Sequence, residues 1–244
     1  ASSNFSAVNT SGGFTNASAG AQTINLTAAL IDTANYTIVG GTSTLVGTTT
    51  ATISKANVTV SGITVANKAS CMYAHYLESR EKTRLALFME TAERAQAQQA
   101  ASPGNANAWY WQAYALSRYS QGISVAKALA QGLGSKVKTA LETTIRLQPK
   151  HADAHIALGA FHAEVIDKVG AMIGNMTYGA KRETALHHFR TGLALIPRAA
   201  IALTEYARGL LMLDIQQFES EAMCLYEQAA AVQPLDAMEH LGVL

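Results

Sequence analysis

"HADAHIALGAFH", residues 151–162, decides the interpretation of this chain, because it places three histidines and an aspartate among small and apolar residues. His151 and His155 share one face of a helix at a spacing of four, and His162 follows on a neighbouring stripe. The spacing permits a zinc site, but no cysteine or glutamate completes a known ligand pattern. We therefore favour packed, partly buried histidines, with a metal site and acid–base catalysis as alternatives. We expect no metal, no cofactor and no catalytic residue.

Four prolines divide the second part of the chain into similar units. From Tyr73 onward good helix formers dominate and apolar residues recur about every 3.6 positions, which predicts helices. Each proline follows one predicted helix and precedes the next, with an alanine three residues later; the prolines are Pro103, Pro149, Pro197 and Pro234. Their spacings of 46, 48 and 37 residues are typical of a helical solenoid.

The unit that contains the opening stretch resembles the tetratricopeptide repeat (TPR). The matching packing positions are His155, Leu158, Gly159, His162, Ala185, Phe189 and Pro197. The flanking units match at Trp109, Ala113, Leu141 and Pro149, and at Ala207, Ala222, Tyr226 and Pro234. The resemblance implies a mainly α fold, an antiparallel helix-hairpin TPR-like solenoid in which small residues admit large neighbours. It implies units at about 71–103, 104–149, 150–197 and 198–234, with a terminal helix at 235–244.

The connection between the two helices of a unit is longer than in that family, by about 12 residues in one unit and about 14 in the next, measured against a 34-residue repeat. Both insertions pass from apolar residues through glycines to a lysine and then to Thr-Ala-Leu. We interpret them as longer helices with a glycine-rich corner that project an apolar rim. Five rim residues are predicted to contact a partner or an apolar ligand: Leu129, Leu133, Met172, Ile173 and Met176.

The richest aromatic stretch of the chain runs from Ala108 to Tyr119. Core packing accounts for Trp109 and about half of the other aromatic residues. The rest are predicted to line the concave groove in which such proteins bind extended or helical peptides. The predicted groove residues are Trp111, Tyr114, Arg118 and Tyr119.

Residues 1–70 differ from the rest, because their only charged side chains are Asp32, Lys55 and Lys68, and 14 of them are threonine. Threonine is β-branched and favours strands, so "QTINLTAAL", "NYTIVGG" and "ANVTVSGITVANK" are predicted strands. Residues 20–68 resemble the YDG/MBG-like β-modules of secreted, filamentous-haemagglutinin-type bacterial adhesins. The sequence thus predicts a small β-rich segment at 1–70, before the helical domain at 71–244, and the resemblance implies export.

Composition excludes several functions. Residues 71–244 carry 16 basic and 16 acidic side chains, so neither half has the basic excess that nucleic-acid binding needs. No run of 18 apolar residues predicts a transmembrane segment, and a removed signal peptide or trimming would explain the start at Ala1. Cys71 and Cys224 have no ligand-like spacing, and their state stays open.

The predicted function is that of a non-enzymatic, exported scaffold, periplasmic or extracellular, whose concave groove binds a protein partner or an apolar ligand. The alternative is a structural subunit of an extracellular fibre or adhesin that assembles with further copies through its N-terminal β segment. Exposed strand edges and the near absence of charge in residues 1–70 favour this alternative.

Overall fold

The computed structural model of the protein describes residues 5–6, 22–30, 44–51 and 55–233, with side chains from Gly62 onward. The chain forms two compact units, Ala1–Ser61 and Gly62–Leu244. The protein is mainly helical. The strand predicted at 35–41, the proline at 234 and the terminal helix predicted at 235–244 lie outside the described residues.

The first unit contains three strands: β1 (Phe5–Ser6), β2 (Gln22–Leu30) and β3 (Thr44–Ala51). They form an antiparallel sheet in the order β1-β2-β3, with Gln22 opposite Ala51 and Ala29 opposite Thr44. Along β2 the sequence largely alternates apolar with polar residues, a pattern typical of strands. Neither β2 nor β3 contains a charged residue.

Ten helices follow in the described residues. The first five are α1 (Lys55–Tyr76), α2 (Glu81–Ala101), α3 (Ala106–Gln121), α4 (Val125–Ala130) and α5 (Leu133–Leu147). The remaining five are α6 (Ala152–Val169), α7 (Ala171–Tyr178), α8 (Arg182–Leu195), α9 (Ala200–Leu213) and α10 (Ile215–Ala230).

Three of the links between helices lie at the predicted proline positions. Pro103, Pro149 and Pro197 lie in the short links before α3, α6 and α9, as predicted, because proline cannot continue a helix. Two of these helices, α3 and α6, have a side chain that caps their N-terminus. Asn105 accepts a hydrogen bond from the Asn107 N–H, and His151 accepts one from the Ala154 N–H.

The strand predicted over residues 56–68 is wrong, because α1 runs through this stretch. Asn67, Cys71 and Ala74 recur at helical spacing and are fully buried. The Arg94 guanidinium of α2 donates to Asn67 Oδ1 at 2.7 Å and to Ser70 Oγ at 2.8 Å. Packing on α2 therefore overrides the strand propensity of the β-branched residues. The two compact units accordingly divide after Ser61 and not after residue 70.

The helices of the second unit pack against near neighbours in the chain. Helix α3 packs against α2 and α5, α6 packs against α8 and α9, and α9 packs against α10. Two clusters of buried side chains result, and α6 contributes to both. Ala154 and Leu158 belong to the cluster shared with α3 and α5, whereas Ile156 and Ala163 belong to the cluster shared with α8, α9 and α10.

Phe189 of α8 occupies the centre of the second cluster and is fully buried. A Cβ atom on Gly159 of α6 would lie 2.9 Å from its ring, and a Cβ atom on Gly209 of α9 would overlap the ring. Tyr206 stacks on Phe189 with 5.0 Å between ring centroids. The two glycines therefore let α6 and α9 close around one phenylalanine.

The two insertions were predicted to lengthen the flanking helices, but each forms a short helix of its own. The first forms the separate helix α4 and the second the separate helix α7. Gly132 and Gly170, which precede α5 and α7, have φ values of 62° and 81°. Left-handed backbone of this kind ends one helix and starts the next in a new direction, and glycine adopts it without a Cβ penalty.

We predict that Gly209→Ala lowers the free energy of unfolding. Overpacking of a buried site costs about 1 to 3 kcal/mol, and here it exceeds the gain in helix propensity, because Phe189 is held by Tyr206 and cannot move aside. Urea unfolding measures the change. Gly104→Ala is the matched control, because a Cβ atom there meets nothing within 4 Å. Equal stability of the two variants would contradict the prediction.

Candidate functional site

The candidate site is the surface shared by α3, α6 and α9, which we call the α3–α6–α9 surface. Its side chains come from all three helices: Tyr114, Arg118, Tyr119, Gln121, Glu164, Glu205 and Arg208. The Gln121 amide of α3 donates to Glu164 of α6 at 3.2 Å. Arg118 of α3 reaches Glu205 of α9 at 3.5 Å. Side chains from three helices therefore meet in one polar network.

Arg118 is the centre of this network. Its guanidinium carbon lies 5.3 Å from the centroid of the Tyr114 ring, a cation–π distance. It also donates to Gln121 Oε1 at 3.2 Å. The Arg118 side chain keeps 17% of its surface exposed, so it is only partly buried. Burial raises the pKa of Tyr114 to about 12, so its hydroxyl stays neutral beside the arginine.

Tyr114 and Tyr119 are half-buried, but Trp111 is only 7% exposed, so its predicted groove role is wrong. Ala108 and Ala115 lie three and four residues from Trp111 and are fully buried, which places Trp111 on the inner face of α3. Its ring packs edge-on against Tyr110 at 5.0 Å. Trp109, predicted to be core, is half-buried, and its indole N–H donates to the Pro103 carbonyl at 3.0 Å.

Sequence reasoning missed a group of three arginines around His75, two of which, Arg118 and Arg208, belong to this surface. Burial lowers the pKa of His75 in α1 to about 4, and the charges of Arg118, Arg84 and Arg208 lower it further. These three arginines belong to α3, α2 and α9 and are far apart in the sequence. No local pattern brings them together, so only the packing of the helices reveals the cluster.

Four of the five predicted rim residues are exposed, and one is buried. Leu129, Met172, Ile173 and Met176 are exposed, as a contact surface requires. Leu133 is 3% exposed, so its predicted role is wrong. Leu133 begins α5 and belongs to the first core cluster, because the turn at Gly132 directs α5 back onto α3.

The histidines of the opening stretch are buried and hydrogen-bonded. His151 Nδ1 accepts from the Ala154 N–H at 3.2 Å, and His162 Nδ1 accepts from the Lys181 N–H at 3.4 Å. His155 Nε2 lies 3.0 Å from the Pro149 carbonyl oxygen, and its Nδ1 lies 3.0 Å from His188 Nδ1. Each of the three imidazoles therefore uses at least one ring nitrogen in a structural hydrogen bond.

The hydrogen bonds of His155 fix two tautomers. A carbonyl only accepts, so His155 Nε2 must carry the proton that it donates to Pro149. In the neutral ring Nδ1 of His155 is then an acceptor, and His188 Nδ1 must be the donor. Burial and the charge of a protonated His155 both lower the pKa of His188, to about 4. His188 is therefore neutral at physiological pH.

No group of three potential metal ligands is found among the described residues. Cys71 is buried and Cys224 exposed, and both are free. Burial raises the pKa of Cys71 to about 12, which keeps its thiol protonated. Cys71 is therefore a small apolar core residue and not a reactive thiol.

The cavities do not favour a small-molecule site at the predicted groove. The crevice on the α3–α6–α9 surface has a volume of about 20 Å³, room for a water molecule only. A larger depression of about 600 Å³ follows the outer side of α8, between Glu183 and Leu195, and contains none of the predicted residues. The α3–α6–α9 surface thus suits an extended or helical segment better than a compact ligand.

No protein-family model matches the chain, and no similar sequence is found among curated proteins. Within residues 55–233, no helix combines the length and the apolar character that crossing a membrane requires. Function must therefore be argued from the described surfaces alone.

We predict that stability falls as the pH falls from about 6.5 to about 4. In the unfolded chain histidine binds a proton near pH 6.5, whereas burial lowers the pKa values of His162 and His188 to about 4. The unfolded state thus binds more protons within this window, so the stabilisation is complete above pH 6.5 and is lost as pH falls.

Urea unfolding at several pH values tests this prediction. His162→Gln keeps an acceptor for Lys181 but removes a titrating group, so it should reduce the slope of stability against pH. His187→Gln is the matched control, because His187 is exposed on the same helix as His188. A slope that His162→Gln leaves unchanged would show that His162 does not contribute.

Proposed function

We propose that this protein is a non-enzymatic, TPR-like helical-repeat scaffold that binds a segment of a partner protein on the α3–α6–α9 surface. The observation that carries the proposal is the network around Arg118, which joins side chains of three helices at a partly exposed position. In a TPR-like solenoid the first helix of each hairpin lines the concave side, and α3, α6 and α9 are these helices. A partner that brings a carboxylate would replace Glu205 as the counter-ion of Arg118.

Two further observations support a peptide rather than a substrate. The surface offers half-buried aromatic rings next to a charged side chain, a combination that is enriched at binding hot spots. Its crevice of about 20 Å³ is too small to enclose an organic substrate. The proposal also includes export, which is supported by the adhesin-like composition of residues 1–70.

We expect Arg118→Ala combined with Tyr119→Ala to weaken partner binding without unfolding the protein, because neither residue is fully buried. Cross-linking of tagged protein in its host, followed by mass spectrometry, identifies partners that wild type captures. Purified partner then gives the affinity, which should fall on the order of 30-fold for the loss of about 2 kcal/mol at such a site.

Arg146→Ala combined with Tyr73→Ala serves as the matched control, because both residues are exposed and lie on α5 and α1, which contribute no side chain to the α3–α6–α9 surface. Far-ultraviolet circular dichroism checks that both double variants remain helical. If the α3 variant binds every partner as tightly as wild type does, the proposed surface is wrong.

The alternative, a fibre subunit, is favoured by the first unit. β2 and β3 are paired strands of nine and eight residues without a charged side chain, and such strands lack the charges that prevent edge-to-edge assembly. If this proposal holds, the protein forms polymers at high concentration, and deletion of residues 1–54 leaves a monomer. Analytical ultracentrifugation and electron microscopy test it. A full-length protein that stays monomeric at every concentration contradicts it.

A further inference from the structure

The short helices α4 and α7 turn apolar side chains outward. None of the residues of α4 is buried. In α7 only Gly174 is buried, and it packs against Val165 of α6. In α7, Met172 is 78% exposed, Ile173 57% and Met176 82%. In α4, Val125 and Leu129 are 45% and 44% exposed. A cluster of large apolar residues in water is unfavourable unless another surface covers it.

The two helices lie at the same edge of the second unit. Tyr178 ends α7, and its ring packs so closely on Gly134 that a Cβ atom there would lie 2.7 Å from it. Gly134 is the second residue of α5, immediately after the turn that follows α4. We therefore treat Val125, Leu129, Met172, Ile173 and Met176 as one exposed apolar rim.

Around this rim, exposed lysines outnumber unpaired acidic residues. Residues 119–141 contain three lysines and no acidic residue, and residues 168–182 contain two lysines, one arginine and no acidic residue. Neighbouring carboxylates pair with Lys138, Lys168 and Arg182. Lys127, Lys136 and Lys181 are exposed, and no acidic group of the described residues forms an ion pair with them. The surroundings of the rim are therefore positively charged.

This combination favours an anionic lipid surface over a second copy of the chain. Two rims in a symmetric dimer would bring like charges together, which opposes association. Lysine is also depleted in the centre of protein interfaces. In contrast, short apolar helix segments bordered by lysines insert side chains into a bilayer interface, while the lysines contact lipid phosphates.

We propose that the exposed apolar rim, together with Lys127, Lys136 and Lys181, binds peripherally to anionic lipid bilayers. Met172, Ile173 and Met176 enter the boundary between headgroups and acyl chains, and the lysines lie at the level of the phosphates. The proposal goes beyond partner binding, because it uses another surface. It gives the scaffold a fixed location at a membrane, with the α3–α6–α9 surface free for a partner.

Vesicle co-sedimentation of the full chain tests the proposal. Wild type should bind vesicles of phosphatidylcholine with phosphatidylglycerol, bind pure phosphatidylcholine much more weakly, and dissociate at high salt. Replacing Lys127, Lys136 and Lys181 with glutamine should weaken binding on the order of 100-fold, from about 1 kcal/mol for each lysine at the surface. Met172→Ser combined with Met176→Ser should abolish it.

Ile215→Ser combined with Met223→Ser is the matched control, because both residues are exposed apolar side chains of α10 at 61% and 54%. This control should bind as wild type does. Three results would overturn the proposal: no binding of wild type to either vesicle, equal binding to both, or rim variants that bind like the control. A dimer that only the rim variants disrupt, without vesicle binding, would assign the rim to a second copy. If the exposed apolar rim and the α3–α6–α9 surface act independently, the rim variants should still capture the same partners as wild type.

Discussion

The contact of Phe189 with Gly159 and Gly209 is the constraint on which the second unit depends. A phenylalanine ring fills the space between three helices only if two of them present no side chain at that point. The stacked Tyr206 then fixes the position of α9 relative to α8. Because α9 also packs beside α6, this contact sets the spacing of the surface that carries Glu205. Remote core packing thus determines the distance from Arg118 to its counter-ion.

The features that the sequence predicts well are local or repeat at fixed spacing. Proline ends helices by its own geometry, so Pro103, Pro149 and Pro197 identify three links without knowledge of the fold. The alternation of small and large residues predicts which helices approach closely, as Gly159 and Phe189 demonstrate. These predictions are reliable because the residues that form the sequence pattern are the same residues that cause the structural feature.

The errors arise where long-range packing decides. In α1, the contacts of Asn67 with α2 favour a helix despite residues that prefer strands. Trp111 and Trp109 are both plausible core residues by type, and the spacing of Ala108 and Ala115 separates them. Leu133 looks like its rim neighbours in sequence, but the left-handed turn at Gly132 sends it inward. The arginine cluster around His75 has no sequence signal, since its members come from different helices.

The buried histidines contribute to the packing of the second unit and also satisfy polar groups inside it. A ring of aromatic size fills the packing position of His155, and its two nitrogens satisfy the Pro149 carbonyl and His188. A hydrocarbon ring could not make these hydrogen bonds, whereas a charged imidazole would be costly in this environment. The arrangement is therefore stable only while the imidazoles are neutral. The chemistry that first suggested a metal or catalytic site instead links the packing of α6 and α8 to the protonation of their histidines.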